Sequence, residues 1–217
     1  MADVKIRVLQ KILNANDQVA AGLRAELTAA KVFSVNLMGS PGSGKTAIIE
    51  ETVRRLNKKI AVIEGDIQTS LDAQRLQKLG IKTSQINTGP FGGDCHLEAA
   101  WIRSAVAEMG VRGLDLLFIE NIGNLVCPAE FDTGAHLNVL ALSVTEGEDK
   151  PLKYPLAFRV AAVCLVSKID LLPHLKIDVE KIRANILQVN PQCRIMEISA
   201  LTGQGFEPWL EVLISGC

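Results

Sequence analysis

A phosphate-binding loop is predicted at eight consecutive residues, because Gly39-Ser40-Pro41-Gly42-Ser43-Gly44-Lys45-Thr46 matches the pattern G-x-x-x-x-G-K-[ST]. Glycines have no Cβ, so backbone N–H groups can converge on phosphate oxygens, and the start of a following helix adds partial positive charge. Lys45 is expected to reach the terminal phosphates and Thr46 to ligate Mg²⁺. These residue types therefore indicate binding of a nucleoside triphosphate.

Two carboxylates follow predicted strands, at the positions where a parallel sheet presents side chains to its ligand. Asp66 ends the stretch Glu64-Gly65-Asp66 and is a candidate for holding Mg²⁺ through water or for positioning the attacking water. A turn-forming aspartate is the alternative. Glu120 follows an apolar run and resembles an acidic Walker-B strand end with Glu in place of Asp. In the same arrangement the N–H of Gly123 is expected to contact the γ-phosphate.

A guanine-selecting motif is predicted at Ser167-Lys168-Ile169-Asp170, which resembles N-K-x-D with Ser in place of Asn. Asp170 would accept from the ring N–H and the exocyclic amine of guanine while the Lys168 stem lies along the base. Adenine lacks that donor pair, so GTP is expected to bind in preference to ATP. Ser199 and Ala200 resemble the final loop of G proteins, with the Ala200 N–H available to guanine O6. The shorter Ser167 side chain is expected to hold the loop less firmly.

A second metal site is a hypothesis that rests on a few of the five cysteines. Cys95 and His96 open a predicted helix, where the helix dipole favours a thiolate, and Cys127 lies four residues beyond Gly123. Two thiolates and an imidazole suit Zn²⁺ or Ni²⁺, although three ligands are one short of a closed tetrahedral site, so a second copy of the chain could complete it. A chance Cys-His pair is the alternative. Cys164 is predicted to be a buried apolar residue, and the remaining cysteines have no assigned role.

The composition restricts the class of protein. A chain of 217 residues with 48% hydrophobic and 22% charged residues suits one α/β domain, and scattered cysteines argue against a disulfide framework. A net charge of -1 argues against a general nucleic-acid or membrane surface. No apolar run has the roughly 20 residues of a membrane span, and no signal peptide follows the start, so a cytoplasmic location is expected.

The elements that must position these residues are predicted from apolar periodicity. Strands and helices alternate, which indicates an α/β fold with a mainly parallel, doubly wound sheet flanked by helices. Residues 1–30 are predicted to form two helices, or one bent helix, packed on a core domain of residues 31–217; a partner-binding arm is the alternative. Strands are predicted at 32–38, 59–64, 81–86, 114–120, 137–145, 160–166 and 194–199, and helices at 46–56, 70–79, 97–109, 179–189 and 206–214. Mobile loops are expected at 88–94, 121–136 and 146–155.

Four stretches together resemble the HypB family: the phosphate-binding loop, Glu64-Gly65-Asp66, Gly-Asp-Cys-His-Leu at 93–97, and Glu-Asn-Ile-Gly-Asn-Leu-Val-Cys-Pro at 120–128. The resemblance runs from about residue 31 to the C-terminus. It implies a P-loop NTPase of the SIMIBI-type GTPase class that assists nickel insertion into [NiFe]-hydrogenases. It also implies that Cys95, His96 and Cys127 form a metal site at a nucleotide-promoted homodimer interface. Partners would be a maturation protein and the hydrogenase large subunit. This sequence has no Cys-rich or His-rich N-terminal nickel segment, so high-affinity storage there is not expected.

The resulting hypothesis is a GTP-hydrolysing metallochaperone in which γ-phosphate contacts at Gly123 reposition Cys127. Lys45, Asp66 and Glu120 are its candidate catalytic residues, and no arginine finger is evident because Arg75, Arg103 and Arg159 are expected to be solvated. Alternatives are a urease-type nickel accessory GTPase, an ATP-dependent small-molecule kinase, and a non-catalytic zinc-stabilised interaction module. The candidate nucleotide contacts are Gly39, Ser40, Gly42, Ser43, Gly44, Lys45, Thr46, Gly123, Lys168, Asp170, Ser199 and Ala200.

Overall fold

The computed structural model describes residues 2–66, 75–89 and 96–217, with side chains from residue 10 onward in the first of these ranges. Cys95 lies outside the described residues, as do half of the helix predicted at 70–79 and most of the loop predicted at 88–94. In the part of the chain that is described, no helix is long and apolar enough to cross a bilayer.

The strands form one sheet in which every described pair is parallel, in the order β3-β2-β4-β1-β5-β6-β7. The prediction of a mainly parallel α/β sheet is confirmed. Because all strands point the same way, their carboxyl ends share one edge, with β1 near the middle. The strands are β1 (Phe33–Gly39), β2 (Ile60–Asp66), β3 (Lys82–Asn87), β4 (Leu116–Glu120), β5 (Leu137–Ser143), β6 (Val163–Ser167) and β7 (Arg194–Ile198).

Helices cover both faces of the sheet. They are α1 (Ala2–Ala29), α2 (Lys45–Arg55), α3 (Ala99–Met109), α4 (Lys150–Lys153), α5 (Pro155–Val160), α6 (Val179–Val189) and α7 (Phe206–Gly216), with short 3-10 helices at Cys127–Ala129, Val144–Glu146 and Ile169–His174. Helices α2 and α7 pack with side chains such as Phe118 on one face, whereas α1 and α3 pack with the neighbouring Ile119 on the other. Phe118 and Ile119 therefore face opposite sides of the sheet, as successive residues of a strand do. The central strands are therefore mostly apolar on both faces, with buried Ser34 and Asn36 in β1, whereas the edge strand β3 is polar.

Two predicted segments are wrong for reasons that prolines explain, and the strand predicted at 137–145 ends at Ser143, before the 3-10 helix Val144–Glu146. Residues 160–162 are not in a strand, because β6 begins at Val163 and is preceded by α5. Residues 146–155, expected to be a mobile loop, contain α4 and lead into α5. Pro151 and Pro155 lie in the first turns of these helices, where a missing N–H costs no hydrogen bond.

The N-terminal segment is one continuous helix through residues 14–17, where a break or bend was expected. The Asn16 side chain is buried there and hydrogen-bonds to two distant segments, so its amide does not compete for the helix backbone. Farther along α1, Arg24 makes two hydrogen bonds to the Asp132 carboxylate, at 2.7 and 2.8 Å.

His136 joins α1 to the strand β1. Its Nδ1 accepts from the Ser34 backbone N–H at 3.1 Å, so this nitrogen carries no proton, and its Nε2 lies 2.8 Å from the Thr28 hydroxyl oxygen. The Thr28 hydroxyl itself donates to the Arg24 carbonyl, which leaves its oxygen to accept from the ring. Burial, together with the nearby Arg24 charge, lowers the pKa of His136 below its ordinary value of 6.5. The packed arrangement therefore requires neutral imidazole.

We expect this histidine to make the folded state less stable in acid. Because the pKa of His136 is lower in the folded than in the unfolded state, its contribution is complete above the unfolded value of 6.5 and is lost as pH falls below it. Denaturant unfolding between about pH 5 and pH 7 should give a shallower pH dependence for His136→Asn than for the parent chain. Exposed His174→Asn is the matched control. Identical slopes for His136→Asn and the parent would contradict the expectation.

Candidate nucleotide and metal site

A cavity of about 410 Å³ lies at the carboxyl ends of the central strands β1, β2 and β4. The phosphate-binding loop forms one side of it and the ends of β2 and β4 form the other. The position is the one at which parallel α/β sheets bind ligands. Its lining residues are Pro41, Gly42, Gly44, Lys45, Thr46, Ala47, Glu64, Gly65, Asp66, Arg75, Glu120, Asn121, Ile122 and Gly123.

The phosphate-binding loop depends on two glycines in the left-handed region. Gly42 has φ 74° and Gly44, which caps α2 without a side chain, has φ 96°. Helix α2 therefore begins at Lys45, directly on the cavity wall, and its N-terminus provides partial positive charge there. The Lys45 ammonium donates to the carbonyls of Gly39 and Ser40 at 3.3 and 3.4 Å. This geometry suits an anionic phosphate chain.

The residues predicted to bind Mg²⁺ lie on the same wall. The Thr46 hydroxyl donates to the Glu120 carboxylate at 2.7 Å, and both side chains are buried. Asp66 lines the same cavity from the end of β2. A hydroxyl and two carboxylates are oxygen donors, which Mg²⁺ prefers, so these residues fit a magnesium ion shared with phosphate oxygens.

Sequence reasoning missed two charged residues of this cavity. Glu64 lies two residues before Asp66 in β2, is buried, and lines the same cavity; an acidic residue within an otherwise apolar strand is its signal in the sequence. Arg75 was expected to be a solvated surface residue, but its half-exposed side chain lines the cavity and pairs with Glu50 of α2 at 2.8 Å. No short motif identifies Arg75. Exposed Arg103, which pairs with Glu26, and exposed Arg159 match the expectation.

A second cavity of about 240 Å³ adjoins the first and contains the predicted base-selecting residues. Gly44 and Ala47 line both cavities, so the two cavities share a wall. The Ser199 hydroxyl donates to Asp170, which orients the carboxylate. The remaining lining residues are Ile48, Ser167, Lys168, Ala200 and Leu201. Apolar walls with one carboxylate suit a planar base that offers adjacent N–H donors.

The base loop is attached directly to the phosphate-binding loop. Ser167 donates to the Ser43 carbonyl and Lys168 donates to the Gly42 carbonyl, both at 2.6 Å. Lys168 adopts a left-handed backbone conformation, with φ 62°. The expectation that Ser167 holds this loop less firmly is therefore not supported, because the short hydroxyl is close enough to bond the neighbouring loop.

Residues 121–128, here called the connecting segment, run from the phosphate site to Cys127 and Pro128. A Cβ on Gly123 would lie 2.9 Å from Cγ of Pro41 and 3.0 Å from its backbone nitrogen, so the segment contacts the phosphate-binding loop closely. Asn124 forms an antiparallel bridge with Gly39, and its side chain accepts from the Val126 N–H at 2.9 Å. The 3-10 helix Cys127–Ala129 follows at once.

The predicted nickel or zinc ligands are only partly described. His96 is largely buried and stacks on Phe131, with ring centroids 3.8 Å apart, and Cys127 is half-buried. Among the described residues, no group of three or more His, Cys, Asp or Glu side chains could hold a metal, and Cys95 lies outside them. The three-ligand site remains a prediction.

Two other cysteines are unsuited to metal binding. Cys164 is fully buried, as predicted, and burial raises its pKa well above the ordinary value. Burial also raises the pKa of the Cys193 thiol to about 11. Since the thiolate is the metal-binding form, neither side chain is a ligand candidate near neutral pH.

The sheet, the phosphate-binding loop and the adjoining cavities define a P-loop nucleotide-binding protein. Residues 33–197 match the family described as CobW/HypB/UreG, nucleotide-binding domain. The sequence is 48% identical over 215 residues to hydrogenase maturation factor HypB of Escherichia coli K12, covering 98% of this chain and 72% of that protein. It is also 48% identical over 207 residues to HypB of Azotobacter vinelandii, covering 94% and 67%. The chain belongs to the HypB family of hydrogenase maturation factors.

Solved structures of the family agree with this fold. The crystal structure of HypB from Archaeoglobus fulgidus has a TM-score of 0.85 at 39% identity and covers 94% of this chain and 98% of that chain. HypB from Helicobacter pylori in complex with nickel has a TM-score of 0.87 at 36% identity, covering 93% and 94%. Signal recognition particle receptor FtsY from Elizabethkingia anophelis shares the fold alone, with a TM-score of 0.54 at 14% identity, covering 91% and 71%.

The contact between Gly123 and Pro41 gives a prediction about nucleotide affinity. Gly123→Ala forces a Cβ against Pro41, so the phosphate-binding loop must shift, and we expect triphosphate affinity to fall at least about tenfold, equivalent to about 1.4 kcal/mol. Titration calorimetry with a triphosphate measures this. Gly22→Ala is the matched control, because a Cβ there has no atom within 4 Å. Equal affinities for both variants and the parent would show that the contact is unimportant for binding.

Proposed function

We propose that this protein is a cytoplasmic GTP-hydrolysing metallochaperone that helps deliver nickel during [NiFe]-hydrogenase maturation, acting as a nucleotide-controlled homodimer. The observation that carries the proposal is the connecting segment, which contacts the phosphate-binding loop at Gly123 and reaches Cys127 four residues later. One short piece of chain therefore joins the place where a γ-phosphate would lie to a sulfur ligand. Membership of the HypB family supports the maturation role.

Guanine selection is assigned to Asp170, with Ser199 orienting its carboxylate. The carboxylate lines the smaller cavity beside Ala200 and Lys168, whose ammonium is held on the phosphate-binding loop. Guanine offers two adjacent N–H donors to such a carboxylate, whereas adenine would leave it without them. GTP is therefore the expected nucleotide.

Hydrolysis is assigned to the larger cavity. Thr46 and Glu120 would hold Mg²⁺, whose charge, when the ion is bound, stabilises the phosphate oxygens. Lys45 and the loop amides stabilise charge on the β- and γ-phosphates. Because the Glu120 carboxylate accepts from Thr46, we assign orientation of the attacking water to Asp66, on the neighbouring wall. Half-exposed Arg75 adds positive charge to this cavity.

Nickel, or zinc in its place, is the proposed cargo of Cys95, His96 and Cys127. Two thiolates and an imidazole suit either ion, and a second copy of the chain would complete the coordination. The structure of HypB from Helicobacter pylori in complex with nickel supports nickel as the cargo. Ordering of Gly123 by a γ-phosphate would move Cys127, and hydrolysis would reverse that movement.

The base assignment predicts a change of nucleotide selectivity. Asp170→Asn replaces an acceptor pair with an amide that cannot accept from both guanine donors, so GTP affinity should fall by about 1–3 kcal/mol while xanthosine triphosphate binds better. Competition binding with GTP, xanthosine triphosphate and ATP measures the shift. Asp178→Asn, which alters an exposed helix cap away from the cavities, is the control. Unchanged selectivity in Asp170→Asn would refute the assignment, and an ATP preference in the parent would favour a small-molecule kinase.

The metal assignment predicts that one substitution lowers metal affinity and leaves GTP affinity nearly unchanged. Cys127→Ala should lower Ni²⁺ and Zn²⁺ affinity at least about tenfold, with the GTP dissociation constant nearly unchanged, whereas exposed Cys217→Ala should change neither. Chelator competition and sedimentation, each with GDP or a non-hydrolysable GTP analogue, test both the site and the nucleotide-dependent dimer. Full metal stoichiometry in Cys127→Ala, as monomer and as dimer, would remove this cysteine from the site.

A further inference from the structure

Asn16 of helix α1 lies between two segments that adjoin the proposed nickel ligands His96 and Cys127, and we infer that it is a positioning residue for the metal site. One segment leads from His96 into helix α3, and the other is the loop of residues 129–136 that follows Cys127. The inference rests on the proposed function, since it concerns the geometry of that metal site. Nothing in the short sequence motifs identifies Asn16 or α1 as part of it.

Both halves of the Asn16 amide are used, and each half contacts a different segment. Its Nδ2 donates to the Asp132 carbonyl at 2.8 Å, and its Oδ1 accepts from the Ala99 backbone N–H at 2.9 Å. The residue is only 8% exposed, so water does not readily replace these bonds. A buried amide that satisfies two backbone groups fixes their separation within a few tenths of an ångström.

The Ala99 contact fixes the beginning of helix α3. Glu98 occupies the N-cap position, and its side chain makes no capping hydrogen bond. The first N–H of the helix, that of Ala99, is instead satisfied by Asn16, which is 83 residues away in the sequence. His96 lies three residues before Ala99, so the position of this ligand depends on where α3 begins.

The Asp132 contact fixes the loop that follows Cys127. Arg24, two turns farther along α1, binds the Asp132 carboxylate through two hydrogen bonds and also donates to the Ala135 carbonyl at 2.9 Å. The adjacent residue, Phe131, stacks on His96. The two segments are therefore joined directly by the Phe131–His96 stack and indirectly by Asn16.

The consequence is that α1 sets the distance between the two segments that adjoin the ligands. A metal site whose ligands are held in place before binding loses less conformational entropy on binding. Removing the Asn16 amide should leave the ligands chemically intact while their relative position becomes less defined. Metal affinity should fall and nucleotide affinity should not, because Asn16 does not line either nucleotide cavity.

The test compares Asn16→Ala with Asn185→Ala in the full chain. Asn185 is a matched control because its Nδ2 also donates to a backbone carbonyl, that of Glu148, at 2.8 Å, and this carbonyl belongs to neither segment. We expect Asn16→Ala to lose about tenfold in Ni²⁺ affinity by chelator competition and to shift the nickel–thiolate absorption band. Asn185→Ala should lower thermal stability without either change. GTP affinity should stay within about twofold of the parent value in both variants.

A second variant, Asn16→Gln, covers the case in which Asn16→Ala does not fold. It keeps both the donor and the acceptor on a side chain one methylene longer, which changes the relative position of the two partners, so it should lower Ni²⁺ affinity with less loss of stability. Parent-like Ni²⁺ affinity and absorption in the folded Asn16 variants, or an equal loss in Asn185→Ala, would overturn the inference. If Cys127→Ala also binds Ni²⁺ normally, the proposed metal site itself is wrong. If Cys127→Ala binds weakly and the Asn16 variants bind normally, only the role of Asn16 is wrong.

Discussion

The close contact between the phosphate-binding loop and the connecting segment is the interaction on which the rest of the site depends. Parallel pairing of β1 with β4 places the ends of both strands side by side, so the loop after β1 must pack against the residues after β4. Only a glycine at position 123 allows Pro41 to approach as closely as it does, and the Gly39–Asn124 bridge extends the contact. The same pairing brings Thr46 to Glu120. A proposed magnesium site and a proposed phosphate sensor thus follow from one strand register.

Buried charged side chains are the second constraint, and they distinguish the edge of the sheet that forms the nucleotide cavity. Lys45, Glu64 and Glu120 are 8%, 3% and 5% exposed, although most of the surrounding strand residues are apolar. Burying charged groups is costly unless they are paired, and such groups are more useful for function than for stability. Here a cation and carboxylates line one cavity, and the burial of these side chains strengthens the interactions they could make with phosphate and with a metal ion.

The sequence was sufficient for the features that depend on local chemistry, and insufficient for those that depend on distant contacts. The phosphate-binding loop, the apolar central strands and the helix Val179–Val189 follow from spacing alone. Arg75 and Asn16 do not, because each acquires its position from a residue far along the chain, Glu50 in one case and Ala99 in the other. Helix α1 is a second example of this limit. The polar residues at 14–17 favour a break in the helix locally, but the Asn16 side chain bonds to a distant segment and the helix continues through them.

Cys127 lies between two fixed contacts, and this placement gives the proposed switch its physical basis. On its N-terminal side the chain is held against the phosphate-binding loop at Gly123 and Asn124. On its C-terminal side the chain is held against α1, through Asp132 and His136. In the proposed switch, the α1 contacts would limit how far a displacement that begins at the nucleotide spreads along the loop. The few residues in between, which include the proposed sulfur ligand, would absorb it, and α1 would be the fixed point against which the proposed metal site moves.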